Sequence, residues 1–288
     1  MNIIKAFQTG KPVFSVEFFP PKDEKAGERM LRTADALGVL EPDFVSITYG
    51  AGGGTRATTL KYARMLKENH GFEVMPHLTC VGHSKEELLE ILREFEQAGF
   101  SNLMALRGDP PKGETSFKTS EGGFSHADQL VTLARENFPD FGIGVAGYPE
   151  KHPEAPNHGD DVNRLVHKVN CGADFITTQL FFDNELYFSF VRRCREAGIE
   201  VPILPGLLPA LSLPQVTRFC KMCGASFPKN LEDRLGTSSD QEMAGIGADW
   251  AYEQVKGLLA GGAPGFHLYA LNKSEATTSI LKRLRANN

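Results

Sequence analysis

Short apolar runs alternate along the chain with segments of helical spacing. The runs are VFSVEFF (13–19), DFVSITYG (43–50), EVMPHLTC (73–80), NLMALRG (102–108), GIGVAGYP (142–149), FITTQLFF (175–182), VPILPGLL (201–208) and GFHLYAL (265–271). Near-continuous hydrophobicity suits strands buried on both faces, as in a parallel sheet clad by helices. Between them, EKAGERMLRTADALGVL (24–40), KEELLEILREFEQAG (85–99) and DDVNRLVHKVNCG (160–172) have amphipathic patterning, and Gly99, Gly172 and Gly198 mark helix ends just before the next strand. About eight βα units without a break in composition predict an α/β chain, a (β/α)8 TIM barrel forming one domain over 1–288. A doubly wound open sheet shares this local grammar and is the alternative. Two places interrupt the rhythm. Residues 109–125 are a polar connection rich in Gly, Pro, Ser and Thr, and 212–260 is a longer helical stretch expected to add outer helices before the last strand.

Composition narrows the class. The 288 residues suit a barrel, which takes roughly 250 as one unit, and 41% hydrophobic with 23% charged residues is ample for one core. A net charge of −5, with both signs mixed along the chain, argues against nucleic acid or an anionic membrane as partner. An anionic ligand must then be held by local donors, because the overall field repels it. The start, MNIIKAFQTGKPVF, lacks a signal-peptide core, and no apolar run approaches the roughly 20 residues of a membrane span. Five cysteines are an odd number in a chain large enough to fold without staples, so free thiols and a cytoplasmic location are expected.

In such a barrel, chemistry gathers at the C-terminal ends of the strands. Glu17 stands among Phe14, Val16, Phe18 and Phe19, where a lone carboxylate is costly unless paired or protonated. It is either the partner of a cation on a neighbouring strand or a general acid kept protonated by desolvation. Gly52-Gly53-Gly54 lacks the third glycine of a dinucleotide fingerprint, which falls on Thr55, so a permissive turn near a ligand is the better reading. His77, Arg107-Gly108-Asp109, Tyr148 with Glu150 and His152, Thr177-Thr178-Gln179, and Tyr269 with Asn272 and Lys273 place polar groups at the same end of many apolar strands. Each alone could be structural; together they predict a ligand site. No metal is expected. His152 and His158 are separated by prolines, and Cys220-Lys221-Met222-Cys223 is a lone pair read as core thiols.

Glu17-Phe18-Phe19-Pro20-Pro21, Phe44 to Ala51, Pro76 to Cys80, Ala105 to Pro110, Tyr148 to Ala155 and Thr178 to Asp183 together resemble methylenetetrahydrofolate reductase, in order and over nearly the whole chain. The length is similar to the single-domain bacterial type. The resemblance implies a barrel holding FAD non-covalently, reduced by NADH or NADPH, and reducing 5,10-methylenetetrahydrofolate to 5-methyltetrahydrofolate in a ping-pong cycle that feeds methionine synthesis. It also implies a homo-oligomer. Glu17 matches the family's catalytic acid, which protonates the departing folate nitrogen. Asp109 matches a flavin-adjacent aspartate that bonds the pterin, stabilises the iminium and tunes the flavin.

Thr48, His77, Arg107, Gly108, Asp109, His126, Ala127, Tyr148, His152, Ala155, Asp161, Arg164 and Lys168 match the FAD-binding set, with Arg107 and Lys168 as charge partners of the pyrophosphate. Gln179, Gln215, Phe219, Tyr269 and Lys273, with Asp109, match the substrate-binding set, Phe219 as an aromatic over the bound ring. Three positions depart from the family pattern: Lys273 replaces an arginine, His126 a tyrosine beside the flavin, and Arg164 a polar amide. Two other readings stay open, another FAD-dependent barrel oxidoreductase and a barrel that binds a pterin without redox chemistry.

Overall fold

The computed structural model describes residues 2–49, 56–110 and 117–286. Its strands are β1 (Val13–Phe18), β2 (Phe44–Ile47), β3 (Val74–Thr79), β4 (Asn102–Leu106), β5 (Gly142–Gly147), β6 (Phe175–Thr178), β7 (Ile203–Leu204), β8 (Gly206–Leu207) and β9 (Gly265–Tyr269). They form one parallel sheet in the order β7-β6-β5-β4-β3-β2-β1-β9-β8. β7 and β8 are halves of one barrel strand separated by Pro205; β7 bonds β6 and β8 bonds β9, which closes the sheet on itself. Proline has no N–H to give a ladder. The Pro205 carbonyl still accepts from His267 N at 2.8 Å, while Gly206 N turns to Thr178 Oγ1 at 2.9 Å. One strand thus serves two neighbours, and the open doubly wound alternative is excluded.

The helices are α1 (Ile4–Phe7), α2 (Glu24–Gly38), α3 (Arg56–His70), α4 (Lys85–Gln97), α5 (Ala127–Asn137), α6 (His158–Asn170), α7 (Asn184–Glu196), α8 (Leu213–Cys223), α9 (Lys229–Gly236), α10 (Asp240–Ala260) and α11 (Glu275–Ala286). Side-chain caps start several of them. Ser84 and Glu87 form a capping box on α4, and Asp23, Asn157 and Asp183 accept backbone N–H groups at the starts of α2, α6 and α7. Each such cap is worth ~1 kcal/mol. On α4, Leu88, Ile91, Leu92 and Phe95 recur at helical spacing and are buried against the sheet. No helix among the described residues is long and apolar enough to cross a membrane.

Two sequence expectations change in detail. The run 175–182 is strand only to Thr178; Phe181 and Phe182 are buried as loop, their carbonyls accepting from Gln254 Nε2 and Trp250 Nε1 of α10. Apolar content there reports burial under an outer helix rather than strand. The stretch 212–260 resolves into α8, α9 and α10, which bury Leu180, Phe182, Leu208, Val216, Leu231 and Leu235 in a cluster of their own. The Gly52-Gly53-Gly54 turn and part of the 109–125 connection lie outside the described residues.

The barrel interior is divided. Residues two apart on a strand share a face. At the N-terminal end, Val13, Phe44, Met75, Met104, Phe175 and Leu204 form an apolar floor closed by Ile3 and Ala6 around α1. Phe175 lies 5.4 Å from Phe7 and 6.3 Å from Phe44, ring to ring. One step up the same strands the interior is polar: Ser15, Glu17, Ser46, His77, Thr79, Thr177 and His267 are all buried. A barrel of this kind ordinarily fills those layers with branched apolar side chains.

Candidate active site

Glu17 lies at the centre of the polar interior. Strand register sets Glu17 beside Ser46 on one side and Tyr269 on the other, and Ser15 beside His267. Glu17 Oε2 is 3.5 Å from His77 Nε2, 3.6 Å from His267 Nε2 and 3.5 Å from Ser46 Oγ. Among the described residues no arginine or lysine pairs with it; its neighbours are two imidazoles and a hydroxyl. His267 Nδ1 lies 2.7 Å from Ser15 Oγ, deep in the barrel.

Burial is the largest influence on His77 and pulls its pKa down to about 4, against the opposing attraction of Glu17 and with help from His267. That imidazole is neutral at pH 7. Among the described residues Glu17 therefore has no fixed counter-ion, and the His267 imidazole stands 3.6 Å from its carboxyl. With Ser15 O–H donating to Nδ1, Nε2–H faces the Glu17 carboxylate; with Glu17 protonated, the tautomer reverses and Nδ1–H donates to Ser15. The two arrangements differ by one proton, present on the Glu17 carboxyl in the second and absent in the first, and the imidazole follows by changing tautomer without itself becoming charged.

Above this layer, the strand ends build a rim. Gly108, just past β4, has φ +89, and a Cβ there would lie 2.7 Å from Val81 Cγ1 and 3.0 Å from Thr79 Cβ. Only glycine fits, and its backbone stays open to a ligand. His77 Nε2, Thr79 Oγ1 and Thr177 Oγ1 are buried without a hydrogen-bond partner among the described residues. Unpaired buried polar atoms are expensive, and these three lie on the inward faces of β3 and β6, below the rim. Burial pushes the Tyr148 phenol up, with Asp109 adding to the effect, and holds the His152 imidazole down; the two rings meet edge to face at 4.7 Å. His152 Nδ1 accepts from Glu154 N, and Asp161 Oδ2 accepts from His152 N.

Two cations expected to meet an anionic cofactor already have partners. Arg107 grips Glu154 through both terminal nitrogens, at 2.5 and 2.8 Å. Lys168, in the last turn of α6, donates to Ala146 O at 2.6 Å, and burial lowers its pKa to about 8 while Asp161 and Asp128 oppose the fall. Arg107 must therefore exchange a carboxylate for any phosphate it binds.

Asp109 is exposed on the rim, where its charge reaches Arg107, Tyr148 and the Cys223 thiol. Cys223 closes α8 over this side; burial raises its thiol, and that of Cys220, to about 11, and all five cysteines are free. Tyr269 donates to Thr178 O at 2.6 Å and stands edge to face over His267, 5.2 Å away. Gln179 folds its amide oxygen back onto Leu180 N. Gln215 and Phe219 are half-buried on α8. Thr48, just past β2, is half-buried, Ala155 is buried in the loop after β5, and Arg164 is exposed on α6. His126 and Ala127 begin α5, whose N-terminal N–H groups are an anion-favouring feature. Lys273 is exposed beyond β9; the preceding Asn272, at φ +56, bonds both Phe19 N and Phe19 O at 2.9 Å and ties that loop to the end of β1.

The residues that sequence reasoning missed are His267, Ser15 and Ser46. A signal existed: each stands two positions before another inward polar residue, as Ser15 before Glu17, Ser46 before Thr48 and His267 before Tyr269. Two surface hollows, about 360 Å³ beside Glu41, His70 and Glu73 and about 290 Å³ beside His158 and Arg193, lie apart from the Glu17 cluster.

Comparison with known proteins bears on the same chain. The family model for methylenetetrahydrofolate reductase matches residues 2–285. The 5,10-methylenetetrahydrofolate reductase of Escherichia coli (strain K12) is 39% identical over 272 residues, 94% of this chain and 90% of that protein. Methylenetetrahydrofolate reductase (NADH) 1 of Zea mays is 37% identical over 295 residues, 98% of this chain but 50% of that protein. The chain thus spans about half the length of such plant relatives. Among solved structures, a Clostridium thermocellum protein that binds two copies of 5-methyl-5,6,7,8-tetrahydrofolic acid superposes with a TM-score of 0.71 at 19% identity, covering 99% of this chain and 98% of that one. Oxaloacetate acetylhydrolase follows the same barrel with a TM-score of 0.56 at 10% identity, covering 99% of this chain and 86% of that one. At these identities the likeness is one of fold.

Proposed function

The chain belongs to the methylenetetrahydrofolate reductase family, and we propose that it reduces 5,10-methylenetetrahydrofolate to 5-methyltetrahydrofolate with NADH or NADPH, through non-covalent FAD and a ping-pong cycle, in the cytoplasm, feeding methionine synthesis. The observation that carries this reading is a carboxyl group at the centre of a polar barrel interior, with the neutral His77 imidazole, His267 and a hydroxyl around it and, among the described residues, no lysine or arginine to lock it. Gly108 and the unpartnered His77 and Thr79 atoms suit a flavin ring at the rim; Arg107, Lys168 and the start of α5 suit its phosphates. When bound, the flavin would supply the hydride-carrying centre shared by the two substrates.

The protein's own task is then proton delivery and positioning. Opening the methylene bridge of the folate requires a proton on the nitrogen that leaves. Glu17 gives that proton as general acid, and His267 with Ser15 holds the carboxyl in place and reorients the replacement proton. Asp109, exposed at the rim, accepts a hydrogen bond from the pterin and stabilises the cationic carbon. Phe219 and Gln179 bracket the place where either substrate ring lies.

Anaerobic absorption spectroscopy tests this. The purified protein should carry FAD, bleach with NADH or NADPH, and recover its colour on addition of 5,10-methylenetetrahydrofolate. Glu17→Gln should keep the first half-reaction and slow the second by about 10²–10⁴-fold, the usual contribution of a general acid. Equal loss in both would end the proton-donor assignment. Bleaching without recovery by the folate would point to another flavin barrel oxidoreductase, and a colourless protein that takes up no FAD to a pterin-binding barrel.

A further inference from the structure

We propose that Asp128, His167 and Cys171 form a binding site for a thiophilic divalent cation of the Zn²⁺ type, on the outer layer where α5 meets α6. His167, in the last turn of α6, and Cys171, its C-cap, are four residues apart, so they lie on one face of the helix end. The helix keeps its hydrogen bonding through this pair, Cys171 N donating to His167 O at 3.0 Å. Asp128 projects from the first turn of α5 to meet them, its Oδ2 3.1 Å from His167 Nε2. The imidazole nitrogen, the carboxylate oxygen and the Cys171 sulfur all lie within 4.8 Å of one another.

That spacing is near what coordination needs. Zinc bonds of about 2.0–2.3 Å in a tetrahedron put ligand atoms roughly 3.3–3.7 Å apart. The Asp128–His167 edge is already that short, and the thiol has at most about one ångström to close, within reach of a rotamer change. The His167 side chain is 66% exposed, leaving a fourth position for water, while that of Asp128 is 20% exposed and so partly desolvated.

The ligand set selects the ion. One nitrogen, one oxygen and one sulfur suit a borderline or soft cation, whereas Mg²⁺ and Ca²⁺ require a shell of oxygens that this corner lacks. Carboxylate and thiolate together balance a dication. α6 presents its negative C-terminal end here, which favours a cation, and the Asp128 carboxylate offsets the positive start of α5. An ordinary His–Asp ion pair accounts for two of the three groups but not for a free thiol placed against both.

Cd²⁺ titration of the full-length protein, read by the ultraviolet sulfur-to-cadmium charge-transfer band, tests the site. One Cd²⁺ per chain should bind, Zn²⁺ should displace it, Cys171→Ser should abolish the band, and Asp128→Asn and His167→Gln should each weaken binding at least tenfold. Urea unfolding confirms that each variant is folded. A band that survives in Cys171→Ser, belonging to Cys223 or another thiol, would overturn the proposal. So would binding indifferent to Asp128 and His167, which would mean a single reactive thiol, or no band in the wild type at millimolar Cd²⁺.

Discussion

Replacing His77 with glutamine should change how stability depends on pH, not only its level. The imidazole is buried in the barrel, and desolvation lowers its pKa to about 4 from an ordinary 6.5. For a base with a depressed folded pKa, the unfolded chain binds the proton more readily throughout that window. Stability is therefore complete above pH 6.5 and lost as pH falls toward about 4. The difference, at about 1.36 kcal/mol per pH unit, is about 3 kcal/mol. Glutamine keeps a polar side chain of similar reach but does not titrate. Wild type and His77→Gln, at matched flavin content, would be unfolded in urea at several pH values between about 7.5 and about 4, the range over which the histidine contribution is lost. Any packing loss shifts the variant equally at all pH values, so the quantity that matters is the divergence of the two curves. Wild type should lose about 3 kcal/mol more than the variant, or about 1 M in urea midpoint for a slope near 3 kcal/mol per molar. Parallel curves would refute the claim that burial keeps His77 neutral, and with it the claim that Glu17 has no cationic partner.

Three further outcomes follow from other contacts. Gly108→Ala must accept φ +89 and a Cβ 2.7 Å from Val81 Cγ1, costing about 1–2 kcal/mol for the backbone and about 1–3 for overpacking; an unfolding midpoint equal to wild type would contradict this. Ser15→Ala removes the 2.7 Å partner of His267 Nδ1, for which about 1–3 kcal/mol of stability should be lost; the folate half-reaction should slow while nicotinamide oxidation holds, and equal slowing of both would remove Ser15 from the proton path. Glu154→Gln weakens the carboxylate grip on Arg107 and should tighten FAD binding measured by fluorescence quenching; unchanged or weaker binding would mean that Arg107 does not meet the phosphates.

Much of the architecture was legible in the chain because local spacing encodes it. Apolar runs with helical segments between them, and polar groups at the strand ends, were enough to expect a barrel with Glu17, His77, Arg107 and Asp109 at one end. Strand limits were less legible, because Phe181 and Phe182 are as apolar as any strand but are buried under α10 instead. Arg107 looked like a cofactor cation, and nothing local revealed that Glu154, 47 residues away, takes both its nitrogens.

What the sequence determined by itself is whatever depends on neighbours one to four residues apart: helix faces, caps, and the alternation that puts Ser15 with Glu17 and His267 with Tyr269; the requirement for glycine at 108 comes from Val81 and Thr79, which only the fold brings against it. The tertiary structure decided what depends on register between distant strands. Ser15 and His267 are 252 residues apart and meet because β9 returns to pair with β1, and that return rests on the strand broken at Pro205. Whether Glu17 would find a cation or the neutral imidazole of His77 was decided there, since the desolvation that neutralises His77 exists only once the barrel has closed around it.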